Sequence, residues 1–401
     1  MVGSVAAAGK RTRRWAALPV AVVVGALAFF GATVIHVPYY AISPGSIRTT
    51  GDLVELSGAA IDPDPAADPD SSQPDANTDG SARGTISFAT VSLDGPVNLL
   101  QALSAGLDGT IELAEEDLIL QGQTPADNRA ANQQLMAGSK DVALRVALTA
   151  LGLAEPTGAE IELVVAGSPT DAVLSPGDVV LAADDRPVTS ALQLARVLGD
   201  VKAGQQVSLL VAPVGSRPVD PTQRDLATRD ELDAAAVTRQ VTVGQSPDQP
   251  ERPYLGIGVR DSLRITFEGE LSIDSSGVGG PSAGLAFTLA VIERLSPGDL
   301  TGGERVAATG TIDAFGRVGP IGGIEQKAVA ARRAGITVFL VPDSLDPAEL
   351  ARARKQAGSV ELVAVGTLTE ALAILADRGG DDVALAATSL AAAPGSAPAS
   401  D

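Results

Sequence analysis

A long apolar stretch lies near the N-terminus, from Trp15 to about Val37, and contains no formally charged residue. Four basic residues come directly before it: Lys10, Arg11, Arg13 and Arg14. About 20 apolar residues suffice to cross the hydrocarbon core of a bilayer, and a basic cluster before the span predicts that this end is cytoplasmic. The pattern therefore predicts a basic cytoplasmic N-terminus at 1–14, a transmembrane helix at 15–37 and an extracytoplasmic remainder anchored in the cell membrane. A cleaved signal peptide is the competing interpretation.

Polar positions dominate two segments that lack apolar periodicity. From Asp62 to Arg83 the sequence carries six aspartates and a single arginine, and such a composition cannot bury enough apolar surface to fold. We therefore expect a linker over 38–84 that contains an acidic disordered loop. The C-terminal segment 379–401 is rich in Ala, Ser, Pro and Gly and is predicted to be disordered as well.

Between these segments, the hydrophobic periodicity changes twice. Over 85–151, an alternating strand pattern is followed by helical spacing. Over 152–245, most apolar runs are short, as in strands, with one helix expected at 190–198. From 250 to 378, strand-like and helical patterns alternate, which is typical of an α/β domain. The predicted fold class is thus a multidomain chain, mixed α+β and α/β, with a β-rich module before a C-terminal α/β domain.

Composition and charge exclude several kinds of chemistry. The chain has 49 acidic and 29 basic residues, a net charge of −20, which argues against nucleic acid as a partner because phosphate binding rests on Lys and Arg. It has no cysteine and one histidine, His36, so we expect no thiol nucleophile, no metal site and no Ser-His-Asp triad. No cofactor is implied. The remaining chemistry must use Ser, Thr, Lys, carboxylates or backbone groups.

One serine lies where a nucleophile could be activated. Residues 276–290 read SGVGGPSAGLAFTLA, which predicts that Ser282 lies in the first turn of a helix. The unpaired N–H groups at a helix N-terminus stabilise negative charge, including that of a tetrahedral oxyanion. Pro281 has no N–H, so we expect Ser282 itself and Gly280 to be the donors. A helix cap or an anion-binding turn is the alternative role for this sequence.

A serine hydroxyl needs a base, and lysine is the remaining candidate. Two lysines follow Ser282 in the chain, Lys327 and Lys355, and Lys355 lies in a charged stretch that predicts a solvated side chain. Lys327 is predicted to lie on a helix among apolar and small residues, where loss of solvent would lower its pKa. A surface position is the alternative for Lys327.

The serine and lysine motifs together resemble the proteolytic domain of Lon proteases, a Ser-Lys dyad family. The motifs are GPSAG at 280–284 and TGTIDAFGRVGPIGGIEQKAVAARRAGI at 309–336, and the resemblance covers about 254–366. It implies that Ser282 is the nucleophile, that Lys327 is the general base, and that Thr309 orients the lysine.

The resemblance is strongest to a membrane-anchored subgroup that carries a PDZ domain and no ATPase domain. The sequence has no G-x-x-x-x-G-K-S/T motif, so we expect no ATP hydrolysis by this chain. It departs from the typical family motif at Gly279, where an acidic residue usually lies three positions before the serine. The resemblance also implies self-association, as a hexameric ring.

The run GSPTDAVLSPGDVVLAADDRPVTSALQLARVL at 167–198 resembles a bacterial PDZ domain. We therefore expect a PDZ-like domain at 152–245, with peptides as partners that add a strand to an exposed sheet edge. An ordinary β-rich spacer is the alternative. The helix at 128–151 is similar to a Lon helix that precedes the serine region, so the PDZ-like domain either precedes the Lon-like domain at 250–378 or is inserted into it.

The predicted function is a membrane-anchored, ATP-independent serine endopeptidase whose PDZ module presents protein or peptide substrates. Two alternatives stay open at this point. One is a non-catalytic membrane scaffold that recognises peptide ends. The other is an anion-binding domain that uses the loop at 277–284.

Overall fold

The computed structural model describes residues 26, 29–57, 84–214, 228–246, 253–266, 270–275 and 277–383. The predicted cytoplasmic segment 1–14, the predicted acidic loop and the part of the predicted disordered tail beyond residue 383 lie outside the described residues. The first residues of that predicted tail are described, and the backbone of Asp381 contacts Asp299 through a 2.9 Å hydrogen bond.

The first part of the described chain combines strands with one long helix. Its elements are β1 (Tyr39–Thr49), β2 (Val54–Ser57), β3 (Thr85–Asp94), α1 (Leu99–Leu107), β4 (Glu112–Glu115), α2 (Glu116–Leu120) and α3 (Pro125–Ala150). α3 begins with the side chain of Thr124 accepting a hydrogen bond from the Asp127 N–H, and with proline in its first turn, both of which favour helix initiation.

The middle part of the chain is rich in strands. Its elements are β5 (Ala154–Val164), β6 (Val179–Ala183), β7 (Arg186–Pro187), α4 (Ala191–Gly199), β8 (Gln206–Ala212), α5 (Arg229–Ala235), β9 (Val237–Thr242), β10 (Gly244–Gln245), β11 (Pro253–Tyr254) and β12 (Ile257–Ile265).

The last part alternates strands and helices. Its elements are β13 (Glu270–Ile273), α6 (Gly284–Leu295), β14 (Arg305–Ala308), β15 (Thr311–Ile312), β16 (Val318–Gly319), α7 (Ile324–Arg333), β17 (Val338–Pro342), α8 (Pro347–Ala357), β18 (Glu361–Val365) and α9 (Leu368–Asp377).

The main sheet draws strands from both ends of the described chain. Its order is β18-β17-β14-β3-β1-β4. β3, β14, β17 and β18 are parallel to one another, and β1 is antiparallel to β3 and β4. β1 lies within the segment 38–84 that the sequence predicts to be a linker. Its partner strand starts 36 residues after β1 ends, and a pattern within one segment does not show such distant pairing.

Helices cover both faces of the main sheet because successive strand residues point to opposite sides. On one face, Val306 and Ala308 of β14 join a core cluster with residues of α3, α6 and α9. On the other face, Ala307 joins a second cluster with residues of α7 and α8. The result is a three-layer arrangement, so the C-terminal region has the mixed α/β character that its sequence predicts.

The middle part forms its own sheet, in the order β12-β5-β6-β8-β9, with β7 paired to β6. Val180, Val207 and Leu209 belong to a separate buried cluster of this module. The chain enters the module after α3 and leaves it before β13, so the module lies between two segments that share the main sheet. β12 pairs along its whole length with β5. It thus belongs to the middle sheet, although the sequence-based boundary assigns it to the domain that starts at 250.

The predicted membrane span requires correction. Residues 15–25, 27 and 28 lie outside the described residues, and residues 29–34 form a short helix. His36 then pairs with Asn98 in an antiparallel bridge, so the end of the apolar run packs with the protein fold. In the part of the chain that the structure describes, no helix is both long and apolar enough to cross a membrane. This finding overturns the expected single-pass anchor and the extracytoplasmic location inferred from it.

Candidate active site

Ser282 lies in the loop that leads into α6. The helix begins at Gly284, and Leu285 and Phe287 in its first turn are fully buried, which anchors the end of the loop in the core. Gly280 has a φ of 87°, a conformation that residues with a Cβ rarely adopt. The serine is therefore held just before a buried helix, close to the position that the sequence predicts.

Lys327 comes from the first turn of α7, which packs on the other face of the main sheet. The loop before α6 and the first turn of α7 come together near the carboxyl end of β14, where Thr309 follows the strand. Lys327 Nζ lies 2.9 Å from Ser282 Oγ and 3.0 Å from Thr309 Oγ1. The structure thus brings the Lys327 amine within hydrogen-bonding distance of two hydroxyls, those of Ser282, 45 positions earlier, and Thr309, 18 positions earlier.

Burial changes the acidity of the lysine. Lys327 is only 2% exposed, and loss of solvent around its ammonium lowers its pKa from 10.5 to about 8. Within the described residues, no carboxylate forms an ion pair with it; its polar neighbours are the hydroxyls of Ser282 and Thr309. A substantial fraction of this amine is therefore neutral near pH 8 and able to accept a proton.

Thr309 has a second contact that the sequence does not show. Its hydroxyl accepts a hydrogen bond from Lys327 and donates one to the Ser282 carbonyl oxygen over 3.1 Å. The Gly310 N–H donates to the same carbonyl over 2.8 Å. Thr309 therefore connects the side chain of the lysine to the backbone of the serine.

The prediction for Gly280 needs correction. Its N–H donates a 2.8 Å hydrogen bond to the carbonyl oxygen of Asn132 in α3, so this group is engaged and does not point free into the site. Among the described residues, the Ser282 N–H has no hydrogen-bond partner. The sequence could not show this difference because Asn132 lies about 150 positions earlier.

α3 also supplies a side chain that sequence analysis missed. The Ser139 hydroxyl donates a 3.0 Å hydrogen bond to the carbonyl oxygen of Pro281, the residue before Ser282. Ser139 is 8% exposed. The only signal in the sequence was the similarity of the 128–151 helix to a Lon helix, which did not identify a contact.

A cleft of about 540 Å³ opens between α3 and the residues around Ser282. Most of its lining is apolar or small, with polar groups from a few side chains. The lining residues are Ala131, Gln134, Leu135, Gly138, Ser139, Val142, Pro281, Thr311 and Ile312. Across the described ranges, no group of three or more acidic or histidine side chains is placed to hold a metal ion. The cleft reaches Pro281, the residue before Ser282.

The family comparison agrees with this geometry. Residues 275–375 match the family model of the Lon protease (S16) C-terminal proteolytic domain. This region resembles a Lon-type proteolytic domain. It contains Ser282, Thr309 and Lys327.

Curated Lon proteases match parts of the chain. A Lon protease of Syntrophomonas wolfei is 34% identical over 120 residues, covering 29% of this chain and 14% of that protein. A Lon protease of Clostridioides difficile is 48% identical over 63 residues, covering 16% of this chain and 8% of that protein. A Lon protease of Chloroflexus aggregans is 37% identical over 100 residues, covering 24% of this chain and 12% of that protein. The chain therefore spans less than a sixth of the length of these relatives.

Solved structures of PDZ domains also match. The PDZ domain of an SdrC-like protein of Listeria monocytogenes has 15% sequence identity and a TM-score of 0.19, covering 26% of this chain and 87% of that one. The PDZ domain of an SdrC-like protein of Listeria innocua has the same identity and TM-score, covering 25% of this chain and 92% of that one. TM-scores this low do not establish a shared fold, so the PDZ assignment of the middle module stays a prediction.

Proposed function

We propose that this chain is an ATP-independent serine endopeptidase of the Lon type, in which Ser282 is the nucleophile and Lys327 the general base. The observation that carries the proposal is the 2.9 Å contact between Ser282 Oγ and the buried, solvent-excluded Nζ of Lys327. A lysine kept close to neutrality beside a serine hydroxyl is one of the few arrangements that activate serine without histidine.

The proposed reaction begins with the neutral amine of Lys327. It takes the proton of Ser282 Oγ while that oxygen bonds to the scissile carbonyl carbon, whose oxygen becomes an oxyanion. The oxyanion accepts a hydrogen bond from the Ser282 N–H. The Lys327 ammonium then protonates the leaving amine as the C–N bond breaks. Lys327, neutral again, deprotonates a water molecule that attacks the acyl-enzyme, and it returns this proton to Ser282 Oγ as the acid product leaves.

The cleft supports a preference for apolar side chains next to the cut. Leu135, Val142 and Ile312 line it together with Pro281, the residue before Ser282, and an apolar group that enters it loses contact with water. We propose unfolded or extended segments of proteins and peptides as substrates, because a backbone must reach Ser282 in an extended conformation. Self-association as a hexameric ring stays an expectation from the family resemblance.

We further propose that the middle module presents such segments. β12 is the last strand in the order of its sheet, and α4 packs against β5, β6 and β12. Among the described residues, β5 is the strand that pairs with β12. An extended peptide that pairs with the other edge of β12 would lie next to α4, which is the arrangement of β-strand addition. Binding of peptides by a chain with Ser282→Ala would support this role, because it separates binding from turnover.

The test of the proposed function is a pH–rate profile of casein or peptide hydrolysis by the full chain, without ATP, alongside Ser282→Ala. We expect turnover to fall by about 10⁴-fold or more in Ser282→Ala. Turnover of the unaltered chain should rise with pH through a pKa near 8, because only the neutral amine of Lys327 acts as a base. Equal turnover with and without Ser282 would exclude Ser282 as the nucleophile and overturn the proposal. No turnover at any pH would favour a non-catalytic scaffold that binds peptides.

A further inference from the structure

Two hydrogen bonds attach the loop before Ser282 to a single face of α3. The Gly280 N–H donates to the backbone carbonyl of Asn132, and the Ser139 hydroxyl donates to the Pro281 carbonyl. Asn132 and Ser139 are seven residues apart, two turns of a helix or about 10 Å along its axis, so they lie on the same face. α3 therefore holds this loop at two points.

The contact of Ser139 also determines where an N–H group points. A peptide bond is planar, and in the trans form its C=O and N–H point in opposite directions. The bond between Pro281 and Ser282 is trans. The hydrogen bond from Ser139 to the Pro281 carbonyl therefore sets the direction of the Ser282 N–H, which points away from the Ser139 hydroxyl.

The next peptide plane is held by other residues. The carbonyl of Ser282 accepts hydrogen bonds from Thr309 Oγ1 and from the Gly310 N–H. No described residue accepts a hydrogen bond from the Ser282 N–H. The Pro281 carbonyl accepts a second, longer hydrogen bond of 3.4 Å from the Gly284 N–H. Among the described residues, Ser139 thus makes the shorter of the two contacts that restrain the plane containing this donor, and the one that comes from a side chain.

We propose that Ser139 is a positioning residue: it orients the Ser282 N–H toward the oxyanion of the tetrahedral intermediate. The inference rests on the proposed function and adds a residue to it. Ser139 does not touch the reacting atoms. It acts through the rigid peptide plane between Pro281 and Ser282, so its loss should weaken binding of the transition state and leave binding of the ground state almost unchanged.

The test compares Ser139→Ala with the unaltered chain in two measurements. In the first, kcat of peptide hydrolysis should fall about 10- to 100-fold, less than the loss of an oxyanion donor itself, with KM within about 3-fold and the rising limb of the pH profile still near 8. In the second, the affinity for a peptide boronate should fall by the same factor. When Ser282 Oγ adds to boron, the hydroxyl proton passes to Lys327. The resulting tetrahedral boronate anion mimics the tetrahedral intermediate.

Two further variants separate the hydrogen bond from packing. Ser139→Cys keeps the shape of the side chain but is a weak donor, so it should lose activity nearly as Ser139→Ala does. Ser296→Ala is the matched control: Ser296 is also 8% exposed, and its hydroxyl is buried with no partner among the described residues. The kcat and the boronate affinity of Ser296→Ala should stay within about 2-fold of those of the unaltered chain.

The outcomes distinguish this inference from the proposed function. If the unaltered chain shows no turnover that depends on Ser282, the proposed function fails and the role of Ser139 fails with it. If turnover depends on Ser282 but Ser139→Ala keeps full kcat, or loses kcat without losing boronate affinity, then only the role of Ser139 is wrong. Wild-type behaviour of Ser139→Cys would assign the effect to packing and would also overturn the inference.

Discussion

Two cations of this protein, the buried Lys327 and the half-buried Arg260, have pKa values shifted in opposite directions. Lys327, in the C-terminal region, has a pKa lowered to about 8 by burial. Arg260 lies where the middle module meets α3, and burial acts to lower its pKa too. There, however, the hydrogen bond and charge of Glu160, with the charges of Asp141 and Glu162, outweigh burial and raise the pKa.

The difference lies in the partners that each cation meets. Arg260 reaches Glu160 over 3.0 Å, Glu162 over 3.4 Å and Asp141 over 3.5 Å, whereas the amine of Lys327 meets hydroxyls only. A carboxylate keeps a buried cation charged, and hydroxyls do not compensate for lost water. The ion pairs of Arg260 join β5, β12 and α3. The hydroxyl contacts of Lys327 leave an amine that can act as a base.

The largest effect on turnover should come from removing the amine of Lys327. Lys327→Met keeps an apolar chain of similar length. We expect turnover to fall by about 10⁴-fold or more, while the free energy of unfolding at pH 7 rises by up to about 3 kcal/mol, since each unit of pKa shift is worth ~1.4 kcal/mol. Urea unfolding and peptide hydrolysis would measure both.

The pH dependence of stability provides the control for this variant. The unfolded chain binds a proton at Lys327 up to its ordinary pKa of 10.5, and the folded chain only up to about 8. The stability of the unaltered protein should therefore rise with pH between about 8 and 10.5, and Lys327→Met should lack this rise. A lower stability of Lys327→Met at pH 7 would contradict the view that this ammonium is buried at a cost.

Replacing Arg260 should have the opposite effect on stability: it should lower the free energy of unfolding. Arg260→Met removes the ion pair of the buried Glu160, whose side chain is 9% exposed. We expect a loss of about 2–3 kcal/mol in the free energy of unfolding, below the full effect for a buried pair because the Arg260 side chain is 32% exposed. The rising limb of the pH–rate profile should stay near 8.

An exposed ion pair supplies the matched control for Arg260. Arg352 lies 2.6 Å from Glu325, and its side chain is 60% exposed, so Arg352→Met should reduce the free energy of unfolding much less than Arg260→Met does. If both substitutions reduce stability equally, the carboxylates around Arg260 do not have the structural role that the comparison assigns to them.

A smaller effect should come from removing the Thr309 hydroxyl, which contacts Lys327. Thr309→Val removes an acceptor that stabilises the protonated amine, so the pKa of the rising limb should move below about 8. We expect kcat to fall about 10- to 100-fold because the lysine and the Ser282 carbonyl lose a common contact. Thr309→Ser keeps the hydroxyl and should retain most activity; an unchanged pH profile in Thr309→Val would mean that this contact does not influence Lys327.

The positions of Ser282 and Lys327 relative to their helices could be predicted from local sequence because both residues belong to short segments with clear signals. Ser282 precedes a helix after a glycine-rich turn, and Lys327 lies in the first turn of a helix of small residues. By contrast, Ser139 and Asn132 contact the serine loop from a helix about 140 positions earlier. Nothing within α3 indicates that partner, and the engaged N–H of Gly280 was missed for the same reason.

By itself, the sequence determined the α/β character of the C-terminal region and the residues able to carry out chemistry without cysteine or histidine, because periodicity and residue type are local properties. The tertiary structure decided the rest. It joined β1 to β3 and β3 to β14 around an intervening module, it formed a short helix and a backbone bridge at the described end of the expected membrane span, and it excluded water from Lys327. Each of these depends on contacts between distant segments, which form only when the chain is folded.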